Sequence, residues 1–165
     1  LDDKCTVESF NLLEIMLVGR AVSAVVHELY PEGVPPENSR GTLIVATLEG
    51  DVHDLGKNIV KMVLIGKGYR VVDLGRDCPV ATLVAATARE AASGVLISGL
   101  ISSIVPQVRR VRPALRTHGL GSVWVVAGGA ALKQCAAADL DVDYVAENAF
   151  DGARYIEARF TGATP

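Results

Sequence analysis

From Arg40 onward the chain repeats one pattern five times: a short apolar, β-branched run followed by an Ala/Leu-rich amphipathic stretch. This alternation restricts the fold more than any other feature, because strand–helix–strand order joins parallel neighbours through a crossover helix. The pattern predicts strands over 42–47, 70–74, 94–98, 122–127 and 143–146, and helices over 55–67, 80–92, 105–118, 130–138 and 149–159. The runs Thr42-Leu43-Ile44-Val45-Ala46 and Val123-Trp124-Val125-Val126-Ala127 are apolar at successive positions. Strands covered by helices on both faces have that composition. The expected class is a flavodoxin-like (Rossmann-like), doubly wound α/β fold with a five-stranded parallel sheet in the order 2-1-3-4-5. Its ligand crevice should lie beyond the carboxyl ends of strands 1 and 3, where the winding reverses.

Ahead of this body, Leu12, Leu13, Met16, Leu17, Ala21, Ala24, Val25 and Leu29 recur at three- and four-residue steps, which predicts a helix within Ser9–Leu29. Pro31, Pro35 and Pro36 with Gly33 then read as a strap. The division is a helical segment over 1–33, a linker over 34–40 and an α/β domain over 41–165.

Half the 165 residues are hydrophobic and the net charge is −3, which excludes a disordered chain and a phosphate-neutralising nucleic-acid binder. Apolar runs such as Gly94–Leu100 fall far short of a membrane span, which takes roughly 20 residues. Cys5, Cys78 and Cys135 show no CxxC spacing and read as packing thiols in a reducing compartment. With no secretion signal visible at Leu1–Lys4, a cytoplasmic location is expected.

Three loops fall at the predicted crevice: Glu49–Asn58 after strand 1, Ser98–Ser103 after strand 3, and Gly128-Gly129 after strand 4. His53 can bind a transition metal through one ring nitrogen while Asp51 takes the proton of the other. A lone histidine makes a poor all-protein cage, since zinc sites use three or four protein ligands, so a metal held inside a macrocycle suits this loop better. Gly128-Gly129 lets a ligand approach the backbone closely.

The run Asp51-Val52-His53-Asp54-Leu55-Gly56, then Ser98-Gly99-Leu100, then Gly128-Gly129 resembles the D-x-H-x-x-G, S-x-L, G-G signature of base-off/His-on cobalamin (vitamin B12)-binding domains. The intervals, with 41 residues between Gly56 and Ser98 and 27 between Leu100 and Gly128, are close to that family's. The resemblance implies His53 as lower axial cobalt ligand, Asp51 holding it, and Ser98 completing a hydrogen-bonded relay, with no catalytic residue beyond these relay partners. It implies that the cofactor's nucleotide tail threads beside strand 1 toward Ser98, Leu100, Gly128 and Gly129. Ile59, Ser102, Ser103, Ala130, Glu147, Asn148 and Ala149 complete the implied cofactor-binding set.

The stretches Glu49–Val60 and Asp73–Pro79 are most similar to corrinoid methyl carriers and to methionine synthase, and the leading helix resembles the last helix of their cap. The implied role is a corrinoid protein, loaded with methylcobalamin or another corrinoid, that carries methyl groups between cognate methyltransferases and meets a reductive activator. A cobalamin-sensing regulator and the small subunit of an adenosylcobalamin-dependent mutase are the other readings. No nucleic-acid or membrane partner is expected. The apolar face of Leu12, Leu13, Met16, Leu17 and Val22 predicts a homodimer through this helix.

Blander readings stand beside these. Asp54 suits the N-cap of the following helix, and Ser102-Ser103 suit the cap of the helix starting near Ile104. Arg109, Arg110, Arg112 and Arg116 read as a solvated helix face. His27 and His118 receive no chemistry. Rival ligands of the topology fail on residue type. A phosphoacceptor receiver needs Asp after strand 3, where Ser98 stands, and a nicotinamide binder needs a G-x-G-x-x-G that is absent.

Overall fold

The computed structural model describes residues 39–162 and, ahead of them, Leu17, Ala21, Ala24, Val25 and Glu28. The chain divides into two compact units, Leu1–Gly33 and Val34–Pro165. In the first unit the five described residues are helical and exposed. Leu12, Leu13, Met16, Val22, Cys5, His27 and the prolines of the strap lie outside the described residues, so the dimer face rests there on Leu17 alone.

The second unit is a five-stranded parallel sheet in the order β2-β1-β3-β4-β5, as expected. Its strands are β1 (Thr42–Thr47), β2 (Arg70–Asp73), β3 (Gly94–Ser98), β4 (Trp124–Gly128) and β5 (Tyr144–Ala146). Its helices are α1 (Leu55–Gly66), α2 (Val80–Arg89), α3 (Val105–Thr117), α4 (Ala137–Leu140) and α5 (Ala149–Thr161). The continuous apolar strands divide their side chains between two cores. Ile44, Ala46, Val95, Ile97, Val125 and Ala127 meet Leu83 and Val84 of α2 and Val108, Val111 and Leu115 of α3. Their neighbours Leu43, Val45, Leu96 and Val126 meet Leu64 of α1 and Ala153 and Ile156 of α5. A period of two that is apolar in both phases therefore records burial on both faces.

The register puts the functional strand ends level. Thr47 lies opposite Ser98, and Ser98 opposite Gly128. The loops that follow thus leave the sheet side by side at the reversal point between β1 and β3.

The helix expected over 130–138 is not continuous. A single turn at Leu132–Gln134 and the four-residue α4 stand in its place, separated by extended backbone at Cys135 and Ala136. Leu132 and Leu140 both enter the core beside α3, and the break lets each reach it. Strand β4 starts two residues later than expected because Val123 is still in a turn, its amide donating to the Leu120 carbonyl at 3.1 Å.

Arg112 corrects the solvated-face reading of α3. It is 6% exposed, donates to the Val123 carbonyl at 2.8 Å and forms an ion pair with Asp143. Arg109, Arg110 and Arg116 are exposed, as expected. Leu115 and Val108 lie three and four positions from Arg112, so this guanidinium sits on the apolar side of the helix and must find buried partners. Cys78 is buried in the core, where desolvation pushes its thiol up, and Cys135 packs against the same core.

Candidate functional site

The connection after β1 turns at once. The Asp51 amide donates to the Leu48 carbonyl at 3.1 Å across a turn whose third residue, Gly50, has φ +94°. That φ is the reason for glycine, since a Cβ at Gly50 would meet nothing within 4 Å. The turn drives Asp51 inward, fully buried, while His53 stays half exposed. Thr47, also buried, donates its hydroxyl to the His53 carbonyl at 3.0 Å and ties the end of the loop to the end of β1.

Asp51 is the hub of the site. Its Oδ1 accepts from the His53 amide at 2.9 Å and from the His53 ring Nδ1 at 2.7 Å. Its Oδ2 accepts from the Leu100 amide at 2.7 Å and the Ile101 amide at 3.4 Å. Burial pushes this carboxyl up, but the hydrogen bonds from His53, Leu100 and Ile101 outweigh burial and hold it below the usual carboxylate range. A carboxylate only accepts, so Nδ1 carries the ring proton and Nε2 keeps its lone pair. One carboxylate thus joins the loops after β1 and β3 and fixes the tautomer a metal ligand requires.

Ser98 does not join this relay. Its hydroxyl makes no hydrogen bond with Asp51 or His53, and the Leu100 and Ile101 amides take the Oδ2 position instead. Ser98 Oγ faces Gly56, 3.0 Å from where a Cβ there would sit, so the glycine opening α1 makes room for it. Asp54 occupies the N-cap position of α1 but its side chain makes no cap hydrogen bond. Ser102 and Ser103 do not cap α3 either: they form a short 3-10 turn, and Ile104 stands at the N-cap.

Around His53 the surface is apolar. Val52, Leu55, Leu100 and Ile101 are 59, 37, 48 and 36% exposed, an unusual set for loops that carry so much polar chemistry. Beside them a cavity of about 230 Å³ opens between the ends of β3 and β4 and helices α1 and α5. Of the expected residues, Gly56, Ile59, Ser98, Gly128, Gly129, Ala130, Glu147, Asn148 and Ala149 line it. Asp51, Val52, His53, Asp54, Leu55, Gly99, Leu100, Ser102 and Ser103 lie outside that lining. No residue of β1 lines it, so the depth is beside β3 and β4 rather than beside strand 1.

Backbone-to-backbone packing holds the cavity open. Gly129 has φ +99°, and a Cβ there would fall 2.5 Å from the Gly99 carbonyl oxygen. The Gly99 amide donates to the Gly128 carbonyl at 2.9 Å, and a Cβ on Gly99 would strike Ile104. Asn148 both lines the cavity and caps α5, accepting from the Phe150 and Asp151 amides at 3.1 and 3.0 Å.

The sequence reading missed Lys57, Val60, Leu96, Ile97, Val126, Ala127, Lys133, Ala146 and Gly152 in the lining. Period two carried a signal for two of them, since Leu96 and Val126 lie two residues before Ser98 and Gly128 on the same strand face. Val60 lies one helical turn beyond Gly56. Lys57 is 2% exposed; its charge is neutralised by Asp73 at 2.7 Å, and it also donates to Asn58 Oδ1 at 2.7 Å.

Among the described residues no three His, Cys, Asp or Glu side chains gather that could hold a metal ion. Only one protein nitrogen is presented at His53, so any metal bound there must bring the rest of its ligands with it. The exposed imidazole, its apolar surround and the narrow cavity fit a flat macrocycle with a tail.

Among relatives of established description, 35% identity over 142 residues links the chain to dimethylamine corrinoid protein 3 of Methanosarcina mazei, covering 84% of each. A cobalamin-binding protein from Desulfitobacterium hafniense superposes with TM-score 0.74 at 28% identity, over 90% of this chain and 70% of that one. The methanol:cobalamin methyltransferase complex of Methanosarcina barkeri matches with TM-score 0.72 at 32% identity, over 81% of this chain but about half, 51%, of the matched chain. The family model of the B12 binding domain matches residues 41–154, and the chain belongs to that family.

Proposed function

We propose that the protein is a corrinoid carrier that holds cobalamin with His53 as lower axial ligand and passes methyl groups between methyltransferases. The observation that carries this reading is the His53 ring, held by a buried carboxylate at Nδ1 and left with its Nε2 lone pair on an exposed apolar surface. When bound, the corrinoid supplies a cobalt centre able to accept and release a methyl group. The chain's own residues bind and orient. Val52, Leu55, Leu100 and Ile101 give the macrocycle an apolar seat, and the cavity bordered by Ser98, Gly128 and Gly129 receives the tail. Asp51 stays ionised and keeps the proton on Nδ1, which leaves Nε2 as the nitrogen that would hold the metal.

In this reading both the methyl donor and the methyl acceptor are activated by partner enzymes rather than by this chain. Those partners are cognate methyltransferases, with a reductive activator serving the carrier, and a homodimer through the leading helix belongs to the same proposal. Among the described residues no helix is long and apolar enough to cross a membrane.

Reconstitution with hydroxocobalamin followed by desalting tests the binding step. A coloured, stoichiometric complex is expected, and a colourless protein would refute the reading. The carrier step is tested by loading the protein with a labelled methylcorrinoid and adding a corrinoid:thiol methyltransferase. Label should leave the protein, whereas label that stays bound while free methylcobalamin is consumed by the same enzyme argues against a carrier.

A further inference from the structure

The connection from β2 to α2 does more than return the chain. Between Gly75 and Cys78 it makes five hydrogen bonds to residues Thr47–Asp51, the segment that leads into His53. The Thr47 amide donates to the Gly75 carbonyl, the Cys78 amide to the Thr47 carbonyl and the Glu49 amide to the Cys78 carbonyl, each at 3.0 Å. The Asp77 amide donates to the Asp51 carbonyl at 3.1 Å, and the Gly50 amide donates to Asp77 Oδ1 at 2.8 Å. Two of the five therefore belong to Asp77, one through its backbone and one through its side chain.

Asp77 reaches this position in a left-handed conformation, φ +55°. Aspartate tolerates that region better than most residues, though at a cost, and the surrounding bonds must over-determine it. The geometry has a reason. A glycine at the third position of the turn points the preceding amide group away from the turn, and the Gly50 N–H so displaced finds its acceptor in Asp77. Resting on the reading of His53 as the metal ligand, we propose that Asp77 is a positioning residue, a clamp from the β2–α2 loop that fixes the turn carrying Asp51 and His53. The carboxylate of Asp51 aligns the ring, and Asp77 aligns the Asp51 backbone from its other side. Arg76, donating to the Val52 carbonyl at 3.4 Å, lies along the same seam.

Three variants separate the contributions. Asp77→Asn keeps an acceptor and tolerates a positive φ, Asp77→Gly keeps only the φ, and Asp77→Ala keeps neither. Amide hydrogen exchange at Gly50, Asp51 and His53 in the full chain without corrinoid reads the turn directly. EPR of the chain titrated with cob(II)alamin reads nitrogen coordination to cobalt. In Asp77→Gly and Asp77→Ala, exchange at Gly50 should quicken by about 3- to 10-fold, the size of one hydrogen bond, and the nitrogen-coupled signal should require correspondingly more cob(II)alamin. Asp77→Asn should restore both to within about 2-fold, since it keeps the acceptor. Unchanged exchange in Asp77→Gly overturns the clamp, and faster exchange with unchanged coordination overturns its role in positioning the ligand. If the unaltered chain takes up no cob(II)alamin, the reading of His53 fails instead, while the exchange data still decide whether Asp77 holds the turn.

Discussion

Replacing Asp51 by Asn alters the hub of the site without opening a cavity, and hydrogen-bond geometry predicts the cost. Oδ1 faces two donors on His53, and Oδ2 faces the Leu100 amide at 2.7 Å. An amide has one accepting oxygen. If that oxygen faces His53, the new NH2 opposes the Leu100 amide, and a part-buried donor loses its partner. If the amide flips, the oxygen serves Leu100, the NH2 opposes the His53 amide, and His53 Nδ1 becomes an acceptor. Either way at least one backbone N–H is orphaned, at about 1–3 kcal/mol. Against a typical total of about 5–15 kcal/mol, the variant folds but is measurably weaker. The flipped form also moves the ring proton to Nε2, the nitrogen needed for ligation, so corrinoid affinity should fall by about 10- to 100-fold, the usual range for lost support of a ligating histidine. Denaturant unfolding measures the first effect and ring 15N shifts of His53 the second. A variant as stable as the parent, with Nε2 still bare, refutes the hub.

Other predictions come from the same structure. Gly129→Ala places a Cβ 2.5 Å from the Gly99 carbonyl at φ +99°, so it should destabilise by at least about 2 kcal/mol in thermal unfolding; a neutral variant contradicts the close approach of the two loops. Arg112→Ala removes the ion-pair partner of Asp143, which keeps only the Val125 amide at 2.7 Å, and the donor to the Val123 carbonyl, with about 1–3 kcal/mol lost after allowance for the partial exposure of Asp143. Exposed Arg110→Ala should stay within about 0.5 kcal/mol, and equal effects would restore the solvated-face reading. For Asp73, burial acts upward, but hydrogen bonds from Lys57, Gly75 and Lys61 win and lower its folded pKa. The stability it contributes is therefore present above about pH 4 and is lost as pH falls toward the folded value. Unfolding at neutral and acid pH should show a shallower acid loss in Asp73→Asn, and an identical slope would contradict this.

Much of the architecture was legible because one pattern repeats. Apolar side chains in both phases of β1 and β4 announced a sheet buried on both faces, and with four crossovers the strand order followed from few alternatives. Between Gly129 and Leu140 that logic failed, since composition cannot show that Leu132 and Leu140 must both reach one core and so interrupt a helix. At the site, Asp51 and His53 were legible because two residues apart on one turn they needed no tertiary information. The partners of Asp51 Oδ2 were not: Leu100 and Ile101 act through backbone amides, which any residue type supplies, so nothing in their side chains marks the role. Arg112 was misread for a related reason. Its charge suits a solvated face, and only the packing of α3 against β4 places it beside Asp143 and the Val123 carbonyl.

The central claim is that His53 supplies the lower ligand of a bound corrinoid. The most direct measurement is EPR of the full chain, uniformly labelled with 15N and loaded with unlabelled cob(II)alamin. Coupling to a protein nitrogen should split each cobalt line in two, because 15N has spin one-half, and the splitting should vanish in His53→Ala. A three-line pattern from unlabelled nitrogen means that the cofactor's own base remains on cobalt, and that result would contradict the account.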